Sequence, residues 1–98
     1  MKIKDVERIN HLLAELKGTQ ELIAHAEHAE PGNFELFVEL PGDASIKMSE
    51  EGSSSTHYEG FPASRALLER LKSLALEELR SRQRGIEQEL AKLGVEVD

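Results

Sequence analysis

Between Pro62 and Leu93 no further proline interrupts the chain, and apolar side chains recur there at steps of three and four. Leu68, Leu71, Ala75, Leu79, Ile86, Leu90 and Leu93 define one stripe, broken only by Arg82. Such spacing predicts a helix with one apolar face, because about 3.6 residues complete a turn. Recurrence of the stripe from 68 to 79 to 90 gives about 3.67 residues per turn, which keeps a nearly straight helix against a partner along its length. At about 1.5 Å per residue the segment would reach roughly 48 Å, more than the width of so small a domain. Leu67, Leu74 and Leu76 broaden the stripe in its first half alone. That half is expected to cover the rest of the domain. The narrower second half, through Leu79, Ile86, Leu90 and Leu93, is expected to meet another copy of the chain. Pro62 suits a first helical turn, and Leu93-Gly94-Val95 suits a left-handed glycine stop, so the helix is placed at about 62–93.

The preceding residues divide by period. Val6, Ile9, Leu13, Leu16 and Ile23 keep helical spacing, Asp5 is a suitable N-cap, and Pro31-Gly32 ends the segment, which gives a helix at about 5–29. Gly18-Thr19 in its middle marks either a kink or a break into two helices. From Phe34 the period falls to two: Phe34, Leu36, Val38 and Leu40 alternate with Glu35, Phe37 and Glu39, and Ala44, Ile46 and Met48 alternate with Ser45, Lys47 and Ser49. With Pro41-Gly42-Asp43 between them, these read as strands at about 34–40 and 44–49 joined in a hairpin. Residues 50–61 lack a period and read as a mobile loop or a continuation of the second strand. The expected fold class is α+β, in the order helix, β-hairpin, long C-terminal helix (α-β-β-α). One domain over 1–98, oligomerising through the last helix, completes the expectation.

Composition narrows the function classes. Ninety-eight residues with no Trp and only Phe34, Phe37, Tyr58 and Phe61 as aromatics supply a limited core. The absence of Cys excludes disulfides, thiolate nucleophiles and cysteine zinc ligands. A net charge of −7 argues against general nucleic-acid or anionic-membrane binding. Neither a long apolar run nor a signal-peptide pattern is present, so a cytoplasmic protein without a membrane partner is expected. Residues 1–61 carry 5 basic and 12 acidic side chains, and 62–93 carry 7 basic and 5 acidic, an asymmetry that biases how copies orient.

Several clusters carry candidate chemistry. Glu21, His25 and His28 lie a helical turn apart and have metal-ligand character, the basis of a metal-dependent hydrolase reading. A fourth ligand is missing, and histidines near a helix C-terminus are favoured by its dipole, so no metal site is expected. His11 reads as a surface residue. Ser53, Ser54, Ser55, Thr56, His57 and Glu59 include nucleophile, base and acid, but adjacent in one loop they lack the rigid placement that catalysis needs. No catalytic residue and no cofactor is expected. Arg80, Arg82 and Arg84, with Arg65, Arg70 and Lys72 earlier, present guanidinium forks suited to phosphate. Arg82 sits in the apolar stripe, where it must be paired with Glu78 or Glu89 or bound to a ligand. Tyr58, His57 and Phe61 are candidates to stack on a base. Gly85 beside Ile86 suits close approach of a second helix.

The opening Ile9-x-x-Leu12-Leu13-x-Glu15-Leu16 helix, the acidic strand pair and the closing Ile86-Glu87-Gln88-Glu89-Leu90-Ala91-Lys92-Leu93-Gly94-Val95 give the layout a resemblance to small accessory proteins of tailed phages and prophages. That class includes non-enzymatic oligomers that sequester cyclic-nucleotide or ADP-ribose-type immune signals, the anti-CBASS and Thoeris anti-defence sponges. The resemblance implies a homo-oligomer with a phosphorylated, nucleotide-type ligand held between subunits by Arg80, Arg82 and Arg84, with Tyr58 and His57 near the base. A different expectation rests on the −7 charge: an acidic accessory factor that occupies a basic site on a host protein.

Overall fold

The computed structural model describes residues 2–96. In order they form α1 (Ile3–His28), a 3-10 turn (Pro31–Asn33), β1 (Leu36–Leu40), β2 (Ala44–Ser49), β3 (Glu59–Pro62) and α2 (Arg65–Lys92). The fold is α+β, of order α-β-β-β-α, one strand richer than the order read from the sequence. The chain separates into two compact units, α1 through Glu27 with the chain from Leu76 onward, and residues 28–75.

In the helical unit, α1 runs unbroken through Gly18. Asp5, Ile9, Leu12, Leu16, Thr19, Ile23 and Ala26, at alternating steps of four and three, are buried or half-buried, with Glu15 half-buried beside them. From Leu76 the same spacing gives Leu76, Leu79, Gln83, Ile86, Leu90 and Leu93 on α2 and its end, with Glu87 half-buried beside Ile86. These are two heptad seams that face each other. Leu12, Leu16, Ile86 and Leu90 form the core, with Ile9, Leu93 and Val95 packed against it. Ion pairs Arg8–Glu89 (2.6 Å) and Arg80–Glu27 (3.0 Å) fix the helices antiparallel. Thr19, only 3% exposed, satisfies its hydroxyl by donating to the Glu15 carbonyl at 2.8 Å, so it serves inside the helix rather than as a cap for a second one.

This geometry corrects the stripe. A heptad spacing rather than an eleven-residue one places Gln83 in the seam and leaves Arg82 exposed, so no buried guanidinium needs compensation. Ile86, Leu90 and Leu93, expected to meet another copy, pack instead on α1 of the same chain, with Leu79 half-buried on that seam. Gly85 has nothing within 4 Å of where its Cβ would stand, so α1 of the same chain does not account for a glycine there.

Both ends of α2 are capped. The Ser64 hydroxyl accepts from the Leu67 N–H (3.1 Å) and the Ser64 carbonyl from the Leu68 N–H (3.1 Å), so the helix starts after Ser64 and Pro62 belongs to β3. At the other end Gly94 (φ 83°) donates to the Ala91 carbonyl and Val95 to that of Leu90, the paired bonds of a Schellman stop.

In the second unit the sheet order is β1-β2-β3. β1 and β2 are antiparallel, from Leu36↔Met48 to Leu40↔Ala44. Gly42 (φ 82°) and Asp43 (φ 60°) supply the left-handed turn between them. β3 runs parallel to β2, Ile46↔Glu59 to Ser49↔Pro62. Pro62 is tolerated because β3 is an edge. Strand alternation puts Leu36, Val38, Leu40, Ala44, Ile46, Met48 and Phe61 on one face, and Phe37, Glu39, Ser45, Lys47, Ser49 and Gly60 on the other. Leu68 of α2 is buried in this unit, and Lys72 donates to the Ala29 carbonyl at 2.8 Å, tying α2 to the segment after α1.

Candidate functional site

Lys47 is the one lysine or arginine between Lys17 and Arg65, and it stands at the centre of the polar sheet face. Its ammonium lies 3.1 Å from Glu35 Oε2, donates to the Tyr58 hydroxyl at 3.3 Å and sits 4.9 Å from the centroid of the Tyr58 ring. The Lys47 pKa is held above the ordinary lysine value, first by the hydrogen bond to Glu35 and next by that to Tyr58, with desolvation opposing. Tyr58 meets Phe37 edge-on, with ring centroids 6.0 Å apart. Phe37 therefore has its second contact on the polar face within its own unit.

Beside this knot is a recess of about 200 Å³ lined by Lys47, Glu35, Glu50, Glu51, Ser49, Ser53 and Gly32. Its shape depends on glycines. A methyl group at Gly32 would collide with the Glu50 carboxylate, one at Gly60 with the Ser53 carbonyl, and Gly52 takes φ 69° against Pro62. A second recess of about 200 Å³, lined by Pro31, Ala63, Arg65 and Leu68, shares Gly32 and Glu50 with the first. The Glu50 side chain thus belongs to both.

Hydroxyls of the intervening loop are structural acceptors. Ser49 Oγ accepts from Gly52 N–H (3.1 Å), Ser54 Oγ from Gly60 N–H (2.9 Å) and Ser55 Oγ from His57 N–H (3.1 Å), while Ser55 N–H donates to the Tyr58 carbonyl (3.1 Å). These bonds tie the loop to the end of β2 and to β3.

The expected ligand residues fall into separate sets. Tyr58 belongs to the Lys47 knot, and His57 is exposed beside it. Arg80, Arg82 and Arg84 belong to the helical unit. Arg80 is paired with Glu27, whereas Arg82 and Arg84 are exposed and pair with no carboxylate among the described residues. Two residues apart on a helix, Arg82 and Arg84 leave it on opposite sides. His25 and His28 are exposed on α1, and among the described residues no group of three His, Cys, Asp or Glu can hold a metal ion. No helix is long and apolar enough to cross a membrane among the described residues.

Lys47, Glu35 and Glu50 were not read from the sequence as site residues. The available signal was charge: residues 30–59 carry seven carboxylates and one lysine, which marks the lysine as a pairing centre. Comparison with family models, curated proteins and solved structures finds no match to this chain.

Proposed function

We propose that this chain is a non-enzymatic binding protein that works in self-associated form and offers the acidic recess of the 28–75 unit to a basic segment of a host protein. The observation that carries this reading is the lining of the recess. Glu35, Glu50 and Glu51 face it, and its one cation, Lys47, is already held by Glu35 and Tyr58. A basic side chain entering there meets unneutralised carboxylates, while a phosphate would be repelled. Self-association is supported by apolar side chains left in water. Phe37, Leu40 and Phe61 of the sheet unit and Val6, Leu13 and Leu22 of α1 are each more than two-fifths exposed.

Titration of the protein with a Lys/Arg-rich peptide tests the recess. The expected result is binding that weakens as salt is raised from 50 to about 300 mM and falls about tenfold in E50Q/E51Q. An unchanged affinity in that variant, or no binding at low salt, overturns the reading.

A second reading is the sequestration of a phosphorylated, nucleotide-type ligand between subunits. It is favoured by the exposed, unpaired guanidinium groups of Arg82 and Arg84. Because these leave α2 on opposite sides, two copies must combine to place guanidinium groups around one phosphate. Titration with a panel of cyclic dinucleotides and cyclic ADP-ribose isomers, in the native chain and R82A, distinguishes it: tight binding without turnover, lost in R82A, supports it, and silence across the panel removes it.

A further inference from the structure

The two edges of the sheet are treated differently. The outer edge of β3 is covered by its own loop, with Gly60 N–H donating to Ser54 Oγ, the Ser53 carbonyl lying against Gly60, and Pro62 offering no donor. The outer edge of β1 has no such cover. It pairs with β2 alone, and among the described residues no other hydrogen bond reaches the backbone of Leu36–Leu40. Folded proteins protect an open edge with a lysine, a proline, a bulge or a covering loop. β1 has none of these within its five residues, Leu-Phe-Val-Glu-Leu. Its Phe37 and Leu40 are 49% and 43% exposed.

From this edge we infer that β1 pairs antiparallel with β1 of a second copy, with Val38 on the two-fold axis, joining the two sheets into one of six strands. The inference rests on the self-association part of the proposed function and names its surface. Continuity of the apolar row favours a second copy as the partner, and charge selects the register. A two-fold axis perpendicular to the sheet keeps each face on its own side, so opposite residues must share a face. Three such registers overlap most of the strand. Centred on Phe37, Glu35 stands opposite the partner's Glu39; centred on Glu39, that carboxylate stands opposite itself. Like charges directly opposite are destabilising. Centred on Val38, Leu36 stands opposite the partner's Leu40, Phe37 opposite the partner's Glu39 and Val38 opposite itself, with no carboxylates opposed. The Glu35 charge is also already matched by Lys47 in its own chain. On the apolar face this register sets the row Phe61, Met48, Leu36 against the partner's Leu40 and continues it across the junction.

The native chain contains no cysteine, so single cysteines report the register cleanly. V38C under mild oxidation at micromolar concentration should yield a disulfide-linked dimer in high proportion, with F37C and E39C, whose two copies face each other only diagonally at about 7–8 Å, giving little. Two exposed-site variants check the charge argument without touching the centre. F37K sets a lysine opposite the partner's Glu39 twice per dimer and F37E a carboxylate; both lose the Phe37–Tyr58 contact and both face Lys47 of their own chain, so the comparison is between them, and F37K should dimerise about tenfold more tightly than F37E. If sedimentation finds a dimer while V38C fails to link, F37C or E39C links preferentially, or F37K and F37E dimerise equally tightly, the β1 pairing is overturned and self-association stands. A monomer at all concentrations overturns both.

Discussion

Glycine inside a helix lowers stability because it surrenders the most backbone freedom on folding and contributes no side-chain contact. Gly18 of α1 and Gly85 of α2 are exposed, and nothing stands within 4 Å of their missing Cβ atoms. Alanine at either position should therefore stabilise the helical unit by about 0.5–1 kcal/mol, read as a higher urea midpoint at unchanged slope. Gly60→Ala should act in the opposite direction, because its methyl group would press on the Ser53 backbone. A lower midpoint for Gly18→Ala would mean that α1 bends there. The sequence offers these three glycines as equals. What separates them is the chain that comes near each one, and only the folded structure supplies that. Lys47 was harder still to single out, since its partners Glu35 and Tyr58 reach it from separate segments and no local spacing announces them.

At the level of elements, both helices and the β1–β2 hairpin were legible because their periods are strong and their ends carry turn chemistry. β3 was not, since Glu59-Gly60-Phe61-Pro62 has too few apolar positions to alternate and contains two residues that ordinarily mark loops. The seam of α2 was misplaced by one residue at Arg82 because eleven-residue and seven-residue spacings share most of their positions and diverge only at the polar layer. Half-buried, neutral Gln83 beside exposed Arg82 is the residue that decides it. Leu90 is fully buried between the helices, whereas Leu22 is 55% exposed. Leu90→Ala should cost about 2–5 kcal/mol and lower the denaturation midpoint steeply. Leu22→Ala should shift it by no more than about 0.5 kcal/mol. Equal effects of the two would show that the seam does not hold the helical unit together.

For the molecule as a whole, the sign of the salt effect separates its two proposed associations. A chain of net charge −7 repels its own copies, so raising salt screens that repulsion and should strengthen self-association. The same salt should weaken capture of a basic peptide. Sedimentation at about 50 and 300 mM salt, run beside the peptide titration, is expected to show these opposite trends. Parallel trends would mean that one kind of contact serves both. Composition gives only an expectation against general nucleic-acid binding, and the candidate recess was less legible than the fold, because it takes its charge from residues that only the sheet and its loop bring together.

The serine-pinned crossover has a temporal side. A strand laid parallel to its neighbour gains nothing until the chain has been turned back through a full loop, and here the fastenings of that loop lie partly on the strand itself, at Gly60. The hairpin can assemble from near neighbours, while β3 has to wait for Ser54 to find its amide. The amide of Gly60 is therefore expected to gain protection from hydrogen exchange later in refolding than those of the β1–β2 hairpin, and equal rates would show that the loop does not delay β3.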